Sequence, residues 1–141
     1  MPTLHAVQPG LTATVQKLVT EADAALHFGS GALKNLFATP VFVALVVEAA
    51  VRAADPMLPD GLVTAGVGLD LRHTAPTAIG LTVTVEAVLE RIEDSRLFFR
   101  FKAYDEVGEI GSGIHERVVV SLKGIMKSAE RRQKKVIANM A

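Results

Sequence analysis

Four side chains of this sequence combine a reactive type with surroundings that suit chemistry: the hydroxyl of Thr39, the imidazole of His73, the carboxylate of Glu48 and the guanidinium of Arg117. Thr39 stands before Pro40 at a strong helix-start signal. A threonine there can cap an orphan amide, and its hydroxyl also lies in the positive field of a helix amino end, which suits an oxyanion. His73 titrates near neutrality and can shuttle a proton, or it can serve as a hydrogen-bonded core residue. Glu48 is a carboxylate within an otherwise apolar helix, costly to bury unless it is used. It also stands one turn before Arg52, in the favourable order for an ion pair. Rotation of 100° per residue puts Glu48 about 180° from Thr39 and Val47 about 80° from it. The ion pair is therefore the preferred reading of Glu48, and a catalytic role the second. Arg117 with His115 can bind a carboxylate or a phosphate, or can be a polar pair on a sheet face.

The elements that must position these residues follow from hydrophobic periodicity. Residues 41–47 are unbroken apolar sequence, Glu48 and Arg52 are the only charges as far as Ala54, and Asp55-Pro56 ends the run. A helix apolar all round reads as a buried helix, with Thr39 as its cap. Before it, residues 11–20 are rich in β-branched types and read as a strand, and Thr20-Glu-Ala-Asp23 reads as a capped helical turn. His27-Phe-Gly-Ser-Gly31 reads as a loop without a phosphate-loop lysine, with His27 at the surface. After the helix, a strand over about 65–74 places Val67, Leu69, Leu71 and His73 on one face. A second, over 80–90, alternates Leu81, Val83, Val85, Ala87 and Leu89 against polar residues, and a third spans 97–104. In the last, over about 110–122, Gly111, Gly113, His115 and Arg117 share a face. The two glycines suggest a bulge or the close approach of another backbone or ligand. One strand, one long helix and four strands joined mostly by short turns predict an α+β fold with an antiparallel sheet on one side of a single helix.

Composition narrows the function classes. The 141 residues suit one domain with a real core, half of them are hydrophobic and the net charge is zero, which excludes a disordered chain and argues against a nucleic-acid partner. No run approaches the ~20 residues of a membrane span, so no membrane partner is expected. The amino terminus shows no secretory signal, and without cysteine there is no disulfide, thiolate chemistry or cysteine-based zinc site. These features fit a cytoplasmic protein whose apolar excess is buried between subunits. Charge is uneven: residues 1–70 carry a net −3 and residues 71–141 a net +3. The basic tail, about 123–141, is able to attract phosphates, although a solvated terminal helix explains it as well.

Five segments carry a family resemblance: Phe37-Ala-Thr39, Glu48-Ala-Ala-Val-Arg52, His73-Thr-Ala75, Gly80-Leu-Thr-Val-Thr-Val85 and Glu109-Ile-Gly-Ser-Gly-Ile-His-Glu-Arg117. Together they resemble the hot-dog thioesterases similar to fluoroacetyl-CoA thioesterase. The resemblance implies a hot-dog fold, its sheet wrapped around one long central helix, and a homodimer that hydrolyses a small acyl-CoA in a groove at the subunit interface. CoA enters as part of the substrate, and no separate cofactor is implied. Thr39 and His73 match the family's active-site threonine and histidine. Gly66 matches a glycine whose backbone lies near the acyl carbonyl, and Arg117 an arginine beside the pocket. The family's catalytic glutamate, eight positions after the threonine, is Val47 here, with Glu48 one step later. A non-catalytic dimer that binds acyl-CoA or another small ligand is therefore the alternative. Hydratase chemistry on the same fold is disfavoured, because no closely spaced Asp and His pair opens the central helix.

Overall fold

The apolar run after Thr39-Pro40 folds as the central helix α1 (Thr39–Ala54), preceded by strand β1 (Thr12–Leu18). Strands β2 (Leu62–His73), β3 (Thr82–Glu93), β4 (Arg96–Tyr104) and β5 (Glu109–Ser121) follow, and helix α2 (Leu122–Asn139) ends the chain. This computed structural model describes residues 4–29 and 31–140; residues 1–3, Ser30 (within the stretch 27–31 read above as a loop) and Ala141 (the last residue of the basic tail read above) lie outside the described residues. All strand pairs are antiparallel, in the order β1-β3-β4-β5-β2, so the sheet has β1 and β2 at its edges. The alternation read in β3 is observed: Val83, Val85, Ala87 and Leu89 are fully buried. They meet Phe42, Val46, Ala49, Ala50 and Ala53 of α1 and Phe99 and Phe101 of β4 in one core. A curled antiparallel sheet holding one long helix is the hot-dog arrangement.

Three expectations are corrected. First, α1 is buried on one side only in the protomer: Phe42, Leu45, Val46, Ala49, Ala50, Ala53 and Ala54 are covered, while Val43, Val47 and Val51 are half-buried. The sheet wraps a single face of the helix, which leaves this second apolar stripe at i, i+4 and i+8 partly open. Second, Ala38, in extended backbone, is the N-cap of α1, and Thr39 is its first helical residue. The Ala38 carbonyl accepts from Val41 and Phe42 (both 3.1 Å) while its own N–H donates to Asp23 (2.9 Å), so the turn is closed by backbone and the Thr39 hydroxyl is spared. Third, the parity of β2 breaks at a bulge between Gly66 and Gly68. Val67 is the extra residue and is 56% exposed, not core-facing. The bulge changes phase, so Thr64 and Gly66 before it share a face with Leu69, Leu71 and His73 after it.

The glycines of β5 are sites of close approach. A Cβ on Gly113 would fall on the Asp70 carbonyl of β2 and lie 2.7 Å from the Phe101 ring of β4; one on Gly111 would fall on the Arg72 carbonyl and 2.5 Å from the Phe42 ring. The missing side chains let Phe42 and Phe101 lie against the sheet. At the end of β5 the Ser121 hydroxyl accepts from Gly124 N–H (3.1 Å), capping α2 and turning strand into helix.

Candidate active site

Two elements bring the first pair of candidates together across 34 residues. Thr39 stands at the amino end of α1 and His73 at the carboxyl end of β2, and Thr39 Oγ1 lies 2.8 Å from His73 Nδ1. The backbone on either side is stitched down. Phe37 N–H donates to Thr77 (2.8 Å), and Thr74 N–H and hydroxyl both donate to the Ile110 carbonyl (2.7 and 3.2 Å). The His73 ring packs edge-on against Phe42 (centroids 5.2 Å) and Phe37 (6.0 Å). This burial among apolar rings pushes the His73 pKa below its ordinary 6.5, so the imidazole is neutral at pH 7. Its Nε2 is buried with no hydrogen-bond partner among the described residues. An unpaired buried polar atom is uncommon in a folded core. Both residues line an open cleft of about 280 Å³, whose walls include Ala25, Leu33, Leu36 and Pro76. The site thus offers a neutral imidazole, a hydroxyl at a helix amino end and a small apolar chamber.

Gly66 and Arg117 form a second centre. The Arg117 side chain is buried between β2 and β5 and donates from Nε to Thr64 Oγ1 (2.8 Å), from Nη2 to the Thr64 carbonyl (2.8 Å) and from Nη1 to His115 Nε2 (3.2 Å). Those bonds engage three of its five N–H groups. His115 Nδ1 faces the Gly68 carbonyl at 2.9 Å, which fixes the proton on Nδ1 and leaves Nε2 to accept from Arg117. Burial, and then the Arg117 charge, hold His115 neutral, although the Gly68 carbonyl opposes this. Thr64 donates its hydroxyl to Asp55 (2.6 Å) at the end of α1, and the Asp55 carboxylate offsets part of the burial that lowers the Arg117 pKa. Gly66 faces this pair: a Cβ there would lie 3.2 Å from Arg117 Nη1. Sequence reasoning missed Asp55 and Thr64 as members of the Arg117 network, since one reads as a helix stop and the other as an ordinary strand residue. Its only available signal was that both flank the turn closing α1 onto β2.

Glu48 joins neither centre within the protomer. Its carboxylate accepts from Arg52 at 2.6 Å with both side chains substantially exposed, and it does not line the cleft of Thr39 and His73. It also stands nine residues along α1 from Thr39, roughly 13 Å of helix rise. His27 is exposed, its Nε2 3.0 Å from the Glu21 carbonyl.

A curled antiparallel sheet thus clasps α1, with a hydroxyl–imidazole pair at the amino end of the helix. Two solved structures share the fold: a hot-dog-like protein from Thermanaerovibrio acidaminovorans (TM-score 0.86, 30% identity, 94% of this chain and 97% of that one) and a thioesterase superfamily member from Thermus thermophilus (TM-score 0.88, 26% identity, the same coverage). The chain belongs to the fluoroacetyl-CoA-specific thioesterase family, whose sequence profile matches residues 19–123. It is 42% identical over 121 residues to fluoroacetyl-CoA thioesterase from Streptantibioticus cattleyicolor, covering 86% of this chain and 82% of that one. A variant of the fluoroacetyl-CoA-specific thioesterase solved with fluoroacetate and CoA superposes with a TM-score of 0.78 at 38% identity, over 84% of this chain and 99% of that one.

Proposed function

We propose that this protein is a homodimeric acyl-CoA hydrolase for small acyl groups. The observation that carries the reading is the 2.8 Å contact between Thr39 Oγ1 and the neutral, ring-enclosed His73 in a small apolar cleft. With Nδ1 accepting from the hydroxyl, His73 is the base and Thr39 the relay. Water adds to the thioester carbonyl, its proton passes through the Thr39 hydroxyl to His73, and the C–S bond breaks as the sulfur leaves and takes that proton. The products are the carboxylic acid and free CoA thiol.

Gly66 and Arg117 support the dimer. Gly66 stands seven residues from His73 on one strand, and with Val67 bulged out roughly 20 Å away, too far for both to serve one small acyl group in the same protomer. Strand β2 stands at the sheet edge, and antiparallel pairing with its copy centred near residues 69–70 would set Gly66 of the partner subunit beside His73. The half-open stripe of Val43, Val47 and Val51 gives the copies further apolar surface to cover. Light scattering on the eluting peak is expected to give about 30 kDa, twice the 15.0 kDa chain. A monomer across micromolar concentrations would remove the shared site.

The rival reading is a dimer that binds acyl-CoA without turning it over. It is favoured by Val47 at the position of the family's glutamate and by Glu48 being tied to Arg52. A panel of short acyl-CoAs, followed by thiol release and in parallel by calorimetry, separates the two: release with binding supports the hydrolase, binding alone the rival. Glu48→Gln is expected to leave turnover nearly unchanged. An exposed pair at i, i+4 contributes only about 0.3–0.5 kcal/mol, so the melting temperature should fall by no more than a degree or two. A variant that binds acyl-CoA normally and hydrolyses none would make Glu48 the base. Val47→Glu is expected to raise hydrolysis, provided the circular dichroism spectrum stays that of the parent.

A further inference from the structure

Helix α2 is exposed along its whole length and departs from the body after its Ser121 cap. At 100° per residue, Leu122, Ile125, Met126, Ala129, Val136, Ile137 and Met140 fall in one arc about 120° wide. The large side chains of that arc are 38% to 80% exposed. The rest of the circumference carries Lys123, Lys127, Arg131, Arg132, Lys134 and Lys135 against Glu130 alone, and Glu130 pairs with Lys134 at 3.4 Å. An apolar stripe of this width beneath a strongly basic face is the pattern of a helix that lies in the plane of a lipid surface.

The charge selects among occupants. Eighteen residues give fewer than the three or four heptads that a coiled coil of two α2 copies needs. Gln133 also lies in the middle of the apolar arc. An anionic bilayer satisfies both faces at once: acyl chains receive Met126 and Ile137, and headgroup phosphates receive the flanking lysines and arginines. We propose that α2 docks the protein on anionic membrane surfaces, lying on the bilayer without crossing it. No helix of the described residues is long and apolar enough to cross one. The proposal is independent of the hydrolase reading.

The test is co-sedimentation of the full chain with sucrose-loaded vesicles, either phosphatidylcholine alone or with roughly two-fifths phosphatidylglycerol. Binding to the anionic vesicles is expected to be ~10-fold or more stronger, and to fall ~10-fold when salt rises from about 0.1 M to about 0.5 M. Met126→Asp with Ile137→Asp should remove it, and so should Arg131→Glu with Arg132→Glu. Because these side chains are exposed, the melting temperature of the body should stay where it is. Equal binding to both vesicle types, or none to the anionic ones, would overturn the proposal. So would a drop in oligomer mass in Met126→Asp with Ile137→Asp, which would make a second copy the occupant of the apolar stripe.

Discussion

His73→Ala is expected to lower the turnover of a short acyl-CoA by ~10²-fold or more, the loss that follows removal of a positioned base. The effect should fall mainly on kcat, because CoA recognition does not need the imidazole, and calorimetry should show CoA still bound. The parent's acid limb adds a second signature. Since burial lowers the His73 pKa, the base form persists on acidification, and the rate should fall with a midpoint below the ordinary 6.5. Stability carries the matching sign. The unfolded chain takes up its proton first, so the contribution of neutral His73 is present above about pH 6.5 and is lost as pH falls below it. His115, also held neutral by burial, adds to the same trend. A folded His73→Ala protein with parental turnover would reduce His73 to a packing residue.

Gly113→Ala is expected to cost about 3 kcal/mol or more, against the few tenths typical of a surface change. Gly113 pairs with Phe101 on one side and Leu71 on the other, and a methyl group there would land on the Asp70 carbonyl. A clash with backbone cannot be relieved by a rotamer, so β2 and β5 must part. The melting temperature should drop by roughly 6–12 °C for a chain of this length. Because His73 lies on the strand that must move, activity below that temperature should fall as well. A variant that melted with the parent would mean that the strands are farther apart than described.

Local patterns carried much of the fold. Val83, Val85, Ala87 and Leu89 declared a half-buried strand, and Thr39-Pro40 and Asp55-Pro56 bracketed α1, because period and proline chemistry act within a few residues. The exceptions arise from features that a count of parity and caps passes over. The bulge between Gly66 and Gly68 reverses parity, and alternation counted straight through those glycines, so Val67 read as core and is exposed. The cap of α1 fell one residue early because Asp23, fifteen positions before Ala38, holds the Ala38 N–H. Long-range partnership was the larger gap. Nothing in periodicity joins Thr39 to His73, or Asp55 and Thr64 to Arg117; a family resemblance names the first two together, and no sequence signal groups the other three. Glu48 was the reverse case, since spacing alone gave its partnership with Arg52, which the structure places at 2.6 Å.

The most direct test of a site shared between two copies is complementation by mixed dimers. His73→Ala and Arg117→Gln homodimers should each be slow. A co-expressed mixture is expected to regain about a quarter of the parental rate, since half of the random dimers are mixed and each of these holds one site with both residues intact. A mixture no faster than the mean of the two homodimers would contradict a site in which His73 of one copy works with Arg117 of the other.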